Sequence, residues 1–323
     1  DALALMNSLR VRPTMIGPQD IVAGDLEKRG FKTLLLPYSK GMSTAEADAV
    51  RAFVANGGLV IADNHPGSST EHGRELETGR LNDLFPVTDK IHVTHHGNGH
   101  AAYLPNIING YMGRHEKSDH TGSDAIEQLL REYTGAAPPV ELFDEHGMAR
   151  RDTLMPVFRN GATMLVGLLR CGDGHDSERQ TTTVVLPEKA HVWDVRTHAY
   201  RGYTNRFKIR LDLRPQYFAA LPARPGVMSL STEDDVQLGG TTRIAGTIDF
   251  EGDASKIKQA IHVRVYSPEG EELEWFRQNL IIRGEGFEIS LPVAYSATPG
   301  RYRVAAENAI TGAVAECTFD VVP

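Results

Sequence analysis

The stretch FKTLLLPYSKGMSTAEADAVRAFVANGGLVIADNHPG, residues 31–67, decides how the first part of the chain folds. It opens with FKTLLLP (31–37), a short apolar run of the kind that marks a strand buried on both faces. Ser43 and Glu46 follow at capping-box spacing, where each side chain satisfies an orphan backbone N–H of a helix start. Val50, Phe53 and Val54 then recur at i, i+3 and i+4, and Gly57-Gly58 supplies the left-handed residue that ends a helix. GLVIAD (58–63) is a second buried strand. Strand, helix and strand in this order predict parallel pairing through a right-handed crossover.

Outward from this unit, residues 90–104 predict two strands around Gly97-Asn98-Gly99. A helix over about 123–134 carries Ile126, Leu129, Leu130 and Tyr133 on one face, and Gly135 with Pro138-Pro139 closes it. Residues 1–137 are therefore expected to form an open parallel α/β domain. Short strands without helical periodicity follow, among them TTTVVLP (181–187), HVWDV (191–195) and FKIRLDL (207–213), which predicts a small β-sandwich over 138–226. From 227 to 323, IHVRVY (261–266) and YRVAAE (302–307) alternate apolar with polar between turns at Ser267–Gly270 and Asn308–Gly312. That pattern suits an immunoglobulin-like sandwich. Ala315, Cys317, Phe319 and Val321 share a face of its last strand, which makes Cys317 a small core residue.

The bulk properties narrow the function classes. A net charge of −8 with dispersed basic residues argues against a nucleic-acid partner, and no apolar run approaches the roughly 20 residues of a spanning helix, so no membrane partner is expected. The two cysteines, Cys171 and Cys317, form no CxxC pair, which removes a zinc ribbon or a disulfide framework. The chain starts DALALMNSL without a basic and apolar leader; the compartment stays open, a secreted or periplasmic one being favoured over the cytoplasm.

The order of these segments resembles the trimerisation domain of the family 42 glycoside hydrolases (β-galactosidases). The carrying features are the strand ending in Leu36-Pro37, the helix opened by Met42-Ser43, and the Gly57-Gly58 bend, followed by LNDLFP (81–86) and GNGHAAYLP (97–105). VWDVRTHAYRG (192–202) is similar to a strand and turn of the small β-domain that follows in those enzymes. The resemblance covers roughly residues 1–225. It implies a flavodoxin-like, glutamine-amidotransferase-related α/β domain and a homo-oligomer or a glycosidase catalytic domain as partner. In that family the two catalytic glutamates lie on a preceding (β/α)₈ barrel, which takes at least about 200 residues; only 137 precede the β-rich part here, so no catalytic residue carries over.

Several residue groups are candidates for chemistry. The turn Asn64-His65-Pro66-Gly67 has neither Cys nor Ser where amidotransferase relatives place a nucleophile, and Ser68-Ser69 come too late. Ligands of open parallel sheets bind at the carboxyl ends of the strands. That edge is expected to present Tyr38 and Ser39, Asp63, Asn64 and His65, and then Asn106, Asn109 and Tyr111, residue types suited to sugar hydroxyls. A solvated loop cluster or subunit interface is the plainer alternative. No glycine-rich phosphate loop follows the first strand, so no nucleotide or other cofactor is expected.

In the hairpin, His92 and His96 face one way and His95 the other, and His100 is expected to return opposite His96. A metal would take His96, His100 and His115 or His120; a polar hairpin face is the plainer reading. Asp249, Glu251 and Asp253 alternate as a weak Ca²⁺ candidate, while Asp234-Asp235 and Glu271-Glu272 fall in turns. Trp193 is expected in the core, and a strand through Trp275-Phe276 would turn one ring outward, toward a sugar or a partner.

The sequence is thus read as a non-catalytic accessory region related to the rear half of a glycoside hydrolase. Two alternatives stand beside it: part of an active glycosidase whose barrel is supplied elsewhere, and a stand-alone carbohydrate-binding module using the strand-end loops.

Overall fold

The computed structural model describes residues 1–117, 119–171, 180–232 and 235–323. The chain is mostly strand and forms two compact units, residues 1–138 and 139–323.

The first unit runs α1 (Ala2–Ser8), α2 (Pro18–Val22), α3 (Asp25–Lys28), β1 (Thr33–Leu36), α4 (Thr44–Ala55), β2 (Leu59–Ala62), β3 (His92–His96), β4 (Gly99–Tyr103), α5 (Tyr111–His115) and α6 (Thr121–Thr134). Its sheet has the order β1-β2-β4-β3; β1, β2 and β4 are parallel and β3 is an antiparallel edge. β2 is buried along its whole length because its alternating side chains feed two cores. Val60 and Ala62 meet Val50, Phe53 and Val54 of α4, while Leu59 and Ile61 meet Leu5 and Leu9 near α1 and Ile126 of α6.

The capping box forms as expected: the Glu46 N–H donates to Ser43 Oγ at 3.2 Å, and the Ser43 N–H donates to Glu46 Oε2 at 2.7 Å. Gly57 sits at φ +102°, and Gly58 packs under the Phe53 ring, where a Cβ would collide with it. The Gly97-Asn98 turn rests on the end of α4, with the Asn98 N–H donating to Ala55 O and the His100 N–H to Gly58 O. At Gly99 a Cβ would run into the carbonyl oxygens of Val54 and Gly58. Gly99→Ala is therefore expected to cost about 1–3 kcal/mol through forced backbone movement, measured by denaturant unfolding.

The second unit begins with β5 (Glu141–Phe143), β6 (Thr153–Leu154), β7 (Val157–Asn160), β8 (Thr163–Arg170), β9 (Gln180–Asp194), β10 (Ala199–Leu211) and β11 (Gln216–Leu221). Where the pattern suggested a two-sheet sandwich, hydrogen bonding joins these strands into one seven-stranded sheet. The cause is the length of β9. One half pairs with β5 and the other with β11, while β10 follows its whole length through two register shifts. The sheet encloses a core that includes Leu142, Val166, Val184, Val192 and Phe218.

Two further sheets follow. β12 (Arg224–Thr232), β14 (Thr241–Glu251) and β17 (Gly286–Pro292) form one; β13 (Val236–Gln237), β15 (Lys258–Tyr266), β16 (Gln278–Arg283), β18 (Gly300–Asn308) and β19 (Val314–Val322) form the other. The alternation read in the sequence faces Ile261, Val263 and Val265 toward Val304, Phe319 and Val321 in a shared core, with Cys317 half-buried beside them. Burial pushes the Cys317 thiol up to about 11, so it stays protonated. These sheets also join the seven-stranded one: Ala162 N–H donates to Lys256 O at 2.7 Å, and Ala219, Leu221, Ile257 and Ile310 share a small core.

Asp152 holds a buried charge network in the seven-stranded sheet. Arg150, 5% exposed, donates through Nε to Asp152 Oδ1 at 2.9 Å and through Nη1 to Thr182 at 3.0 Å; Arg170 reaches Asp152 Oδ2 at 3.2 Å. Burial raises the Asp152 pKa, but the hydrogen bonds and charge of Arg150, then Thr153 and Arg170, outweigh it and hold the carboxyl below its ordinary value. The folded pKa is depressed, so this stabilisation is present above the ordinary carboxylate pKa and fades as pH falls through the folded one. Asp152→Asn removes the carboxylate that accepts from two buried guanidinium groups. It is expected to lower stability at neutral pH by about 3 kcal/mol and to flatten the acid limb of the stability–pH curve, both read by thermal unfolding.

Candidate functional site

Asp63 follows the last residue of β2 and is fully buried. Its carboxylate accepts two backbone amides from the neighbouring strand ends: Tyr38 N–H donates to Oδ1 at 2.8 Å and Asn109 N–H to Oδ2 at 2.7 Å. One side chain thus ties together the loops after β1, β2 and β4. An Asp directly after a buried apolar run, VIAD, was the signal for this role, although the sequence alone placed Asp63 only among the lining residues.

Backbone strain concentrates around this anchor. Tyr38 (φ +51°), Asn64 (φ +50°), His65 (φ +56°) and Asn106 (φ +52°) all occupy the left-handed region, at the carboxyl ends of the three parallel strands. Non-glycine residues adopt it sparingly, and such strain persists where surrounding structure over-determines it. The His65 ring stacks on Tyr103 at 5.6 Å between centroids, with Tyr103 Oη 3.5 Å from His65 Nδ1. Burial, opposed by a hydrogen bond from the His65 backbone and helped by the Asp63 charge, raises the Tyr103 pKa, so the phenol stays protonated. The Asn64 side-chain amide nitrogen is buried without a hydrogen-bond partner.

The expected strand-end residues are therefore only partly assembled. Tyr38, Asn64, His65 and Asn109 gather around Asp63 or Tyr103, and Asn106 occupies the end of β4. Ser39 turns its hydroxyl back onto Pro37 O at 3.3 Å. Tyr111 does not line the edge: it is 2% exposed in the core beneath α1 and α6, its hydroxyl 3.3 Å from His115 Nδ1. A Tyr in a loop of Asn and Gly looked solvated, but the short helix α5 turns it inward. The elbow at Asn64-His65 has the strained turn of a nucleophile site without a Cys or Ser on it. The groups it presents are amides, an imidazole and the exposed Tyr38 ring.

The histidines do not assemble as a metal site. Because the hairpin loop has two residues, His96 pairs with Gly99 and His95 with His100, one position away from the expected register. The His95 and His100 rings lie 5.1 Å apart, and His100 packs against Tyr133 at 4.1 Å. His115 lies instead beside His120 and Tyr111. Among the described residues no three His, Cys, Asp or Glu side chains form a group able to hold an ion, so neither His96, His100 and His115 nor Asp249, Glu251 and Asp253 converge.

The remaining candidates are dispersed. Asp253 caps its own turn through the Ser255 N–H, and Glu272 pairs with Arg277 at 2.8 Å. Asp234 lies outside the described residues. Trp275-Phe276 sit in a 3₁₀ turn, not a strand; Phe276 packs toward the last core and Trp275 is 76% exposed. Trp193 is half-buried against the Tyr200 ring at 5.0 Å. Among the described residues no helix is long and apolar enough to cross a membrane.

No family model matches the sequence, and no curated protein matches it. Solved structures superpose on part of the chain. Gan42B, a GH42 β-galactosidase from G. stearothermophilus, superposes with TM-score 0.47 at 14% identity, covering 68% of this chain and 35% of its own. The β-galactosidase from Bacillus circulans sp. alkalophilus gives 0.44 at 13%, over 67% of this chain and 36% of its own. The cold-adapted β-galactosidase from Rahnella sp. R3 gives 0.43 at 12%, over 67% and 35%. The chain thus spans about a third of the length of these enzymes.

Asp63→Asn replaces one acceptor by an NH₂ group facing a backbone N–H. It is expected to destabilise the first unit by about 2–3 kcal/mol and to raise amide hydrogen exchange at Tyr38 and Asn109.

Proposed function

We propose that this chain is a non-catalytic accessory region of the glycoside hydrolase type, whose first unit assembles with another folded chain or domain. The observation that carries the reading is the open edge of β1. This strand is flanked by β2 on one side, and no described strand pairs with the other. Edge strands are ordinarily blunted by charge, bulges or Pro, yet Thr33–Leu36 is TLLL and contributes to apolar layers on both faces. A groove of about 650 Å³ runs along this edge, walled by Leu3 and Met6, by Met15 and Ile16, and by Leu26 and Leu130. Leu3 and Met15 are 56% and 79% exposed. A strand buried above and below but bare at its edge is the surface a partner covers.

A flavodoxin-like first unit, an immunoglobulin-like last sandwich and a trimeric state belong to the same reading. They rest on the sequence resemblance and on the parallel β1-β2-β4 order. The chain alone is expected to hydrolyse no aryl glycoside. Sedimentation should show a concentration-dependent oligomer that the double variant Leu3→Asp with Met15→Asp returns to monomer, with monomer stability changed by about 0.5 kcal/mol or less at these exposed sites. A chain that stays monomeric with and without these changes, and that retains no barrel domain, would sink the assembly role.

The convergence of strained Tyr38, Asn64, His65 and Asn106 on the strand ends favours a second reading, a pocket for a small polyhydroxylated ligand. Chemical-shift changes confined to these residues on titration with monosaccharides would support it.

A further inference from the structure

The two-residue period of a strand gathers cations that the linear sequence scatters. Along β10, Phe207, Ile209 and Leu211 are buried while Lys208 and Arg210 between them are exposed, so both cations stand on one solvent face about 7 Å apart. The β9–β10 turn adds Arg196, and Arg201 follows it; the β10–β11 turn adds Arg214. All five line one open groove of about 570 Å³.

Two carboxylates share the groove, and both are engaged. Asp194 pairs with Arg201 at 2.9 Å and accepts the N–H groups of Arg196 and Thr197 at 3.2 Å each. Asp212 accepts the Arg214 N–H at 2.8 Å, with the Arg214 guanidinium at 3.8 Å. Arg196 Nη1 is held by Pro215 O at 2.8 Å, which fixes one guanidinium in the groove wall. Lys208 and Arg210 have no carboxylate partner among the described residues. Among the described residues, five cations against two occupied carboxylates make a positive groove on a chain whose net charge is −8. Such segregation of charge concentrates anions locally.

The lining also selects the kind of anion. Thr181, Thr197 and Gln216 add hydroxyl and amide groups, and no exposed large apolar side chain is among the described lining residues. A peptide would gain little there, because peptide affinity depends on buried apolar or aromatic anchors. A hydroxyl-rich polyanion matches both features. We propose that this groove binds an acidic oligosaccharide, with Lys208 and Arg210 on its sulfate or carboxylate groups and Thr181 and Thr197 on its hydroxyls. The site lies wholly in the second unit, so it stands independently of the assembly role of the first.

The test is calorimetric titration of the full chain with four probes of matched length: a sulfated heparin oligosaccharide, an oligogalacturonate, a neutral oligosaccharide and a polyglutamate. Binding of the sulfated or the carboxylated sugar, weakening as salt rises, is expected, and comparing those two shows which anion the groove prefers. The double variant Lys208→Glu with Arg210→Glu should weaken it roughly tenfold or more, with unfolding temperature unchanged. Lys208→Gln with Arg210→Gln should fall between the two and guards against a folding defect in the reversed variant. No binding, equal binding of the neutral sugar, polyglutamate binding as tight as the sugars, or indifference to both variants would overturn the proposal.

Discussion

The first unit depends on one short strand that has no surface of its own. Leu59–Ala62 is buried on both faces, so its backbone groups must be satisfied by β1 and β4, and its side chains serve two separate cores. That requirement fixes α4 on one side and α1 with α6 on the other. Asp63 extends the same constraint by a residue. A carboxylate with no access to water is stable only where donors surround it, and the donors at hand are the amides of the loops after β1 and β4. Core and strand-end cluster are therefore continuous: packing forces the strand inward, and the acid at its tip organises the loops.

The same reasoning explains why strain collects where it does. Four left-handed residues border the Asp63 anchor, and the turn at Tyr38 is held by a hydrogen bond to its buried carboxylate. The glycines of the hairpin answer a different demand. At Gly99 there is no room for a Cβ between β4 and the end of α4. The histidine-rich segment is consequently a hairpin seated on a helix terminus, with the His95 ring edge-on to His100 and the His100 ring packed against Tyr133.

The second unit repeats the theme with charge in place of strain. Its buried ion network around Asp152 works because Arg150 and Arg170 share the carboxylate, while Thr182 and Gln180 accept further hydrogen bonds from Arg150. On its outer surface the period of β10 turns Lys208 and Arg210 to the same side, whereas their sequence neighbours are apolar. Charge that averages to an acidic protein is thereby sorted into a basic groove.

Legibility in the sequence followed the range of the interactions. The capping box at Ser43 and Glu46, the β1-α4-β2 unit and the alternation of β15 and β18 depend on contacts within a few residues or on periodicity, and all were readable. So was the gathering of Tyr38, Asn64 and His65 near one sheet edge, since parallel strands bring their carboxyl ends together. The burial of Tyr111 was not readable, because it depends on a helix of five residues packed beneath α1. Nor was the single sheet of β5–β11, which follows from β9 accepting different partners along its length. The pairing of His95 with His100, the bare edge of β1 and the convergence of five cations likewise arise from neighbours distant in sequence. Local physics determined which elements form; only the tertiary structure decided which edges stay open and which charges meet, because those depend on what the rest of the chain leaves uncovered.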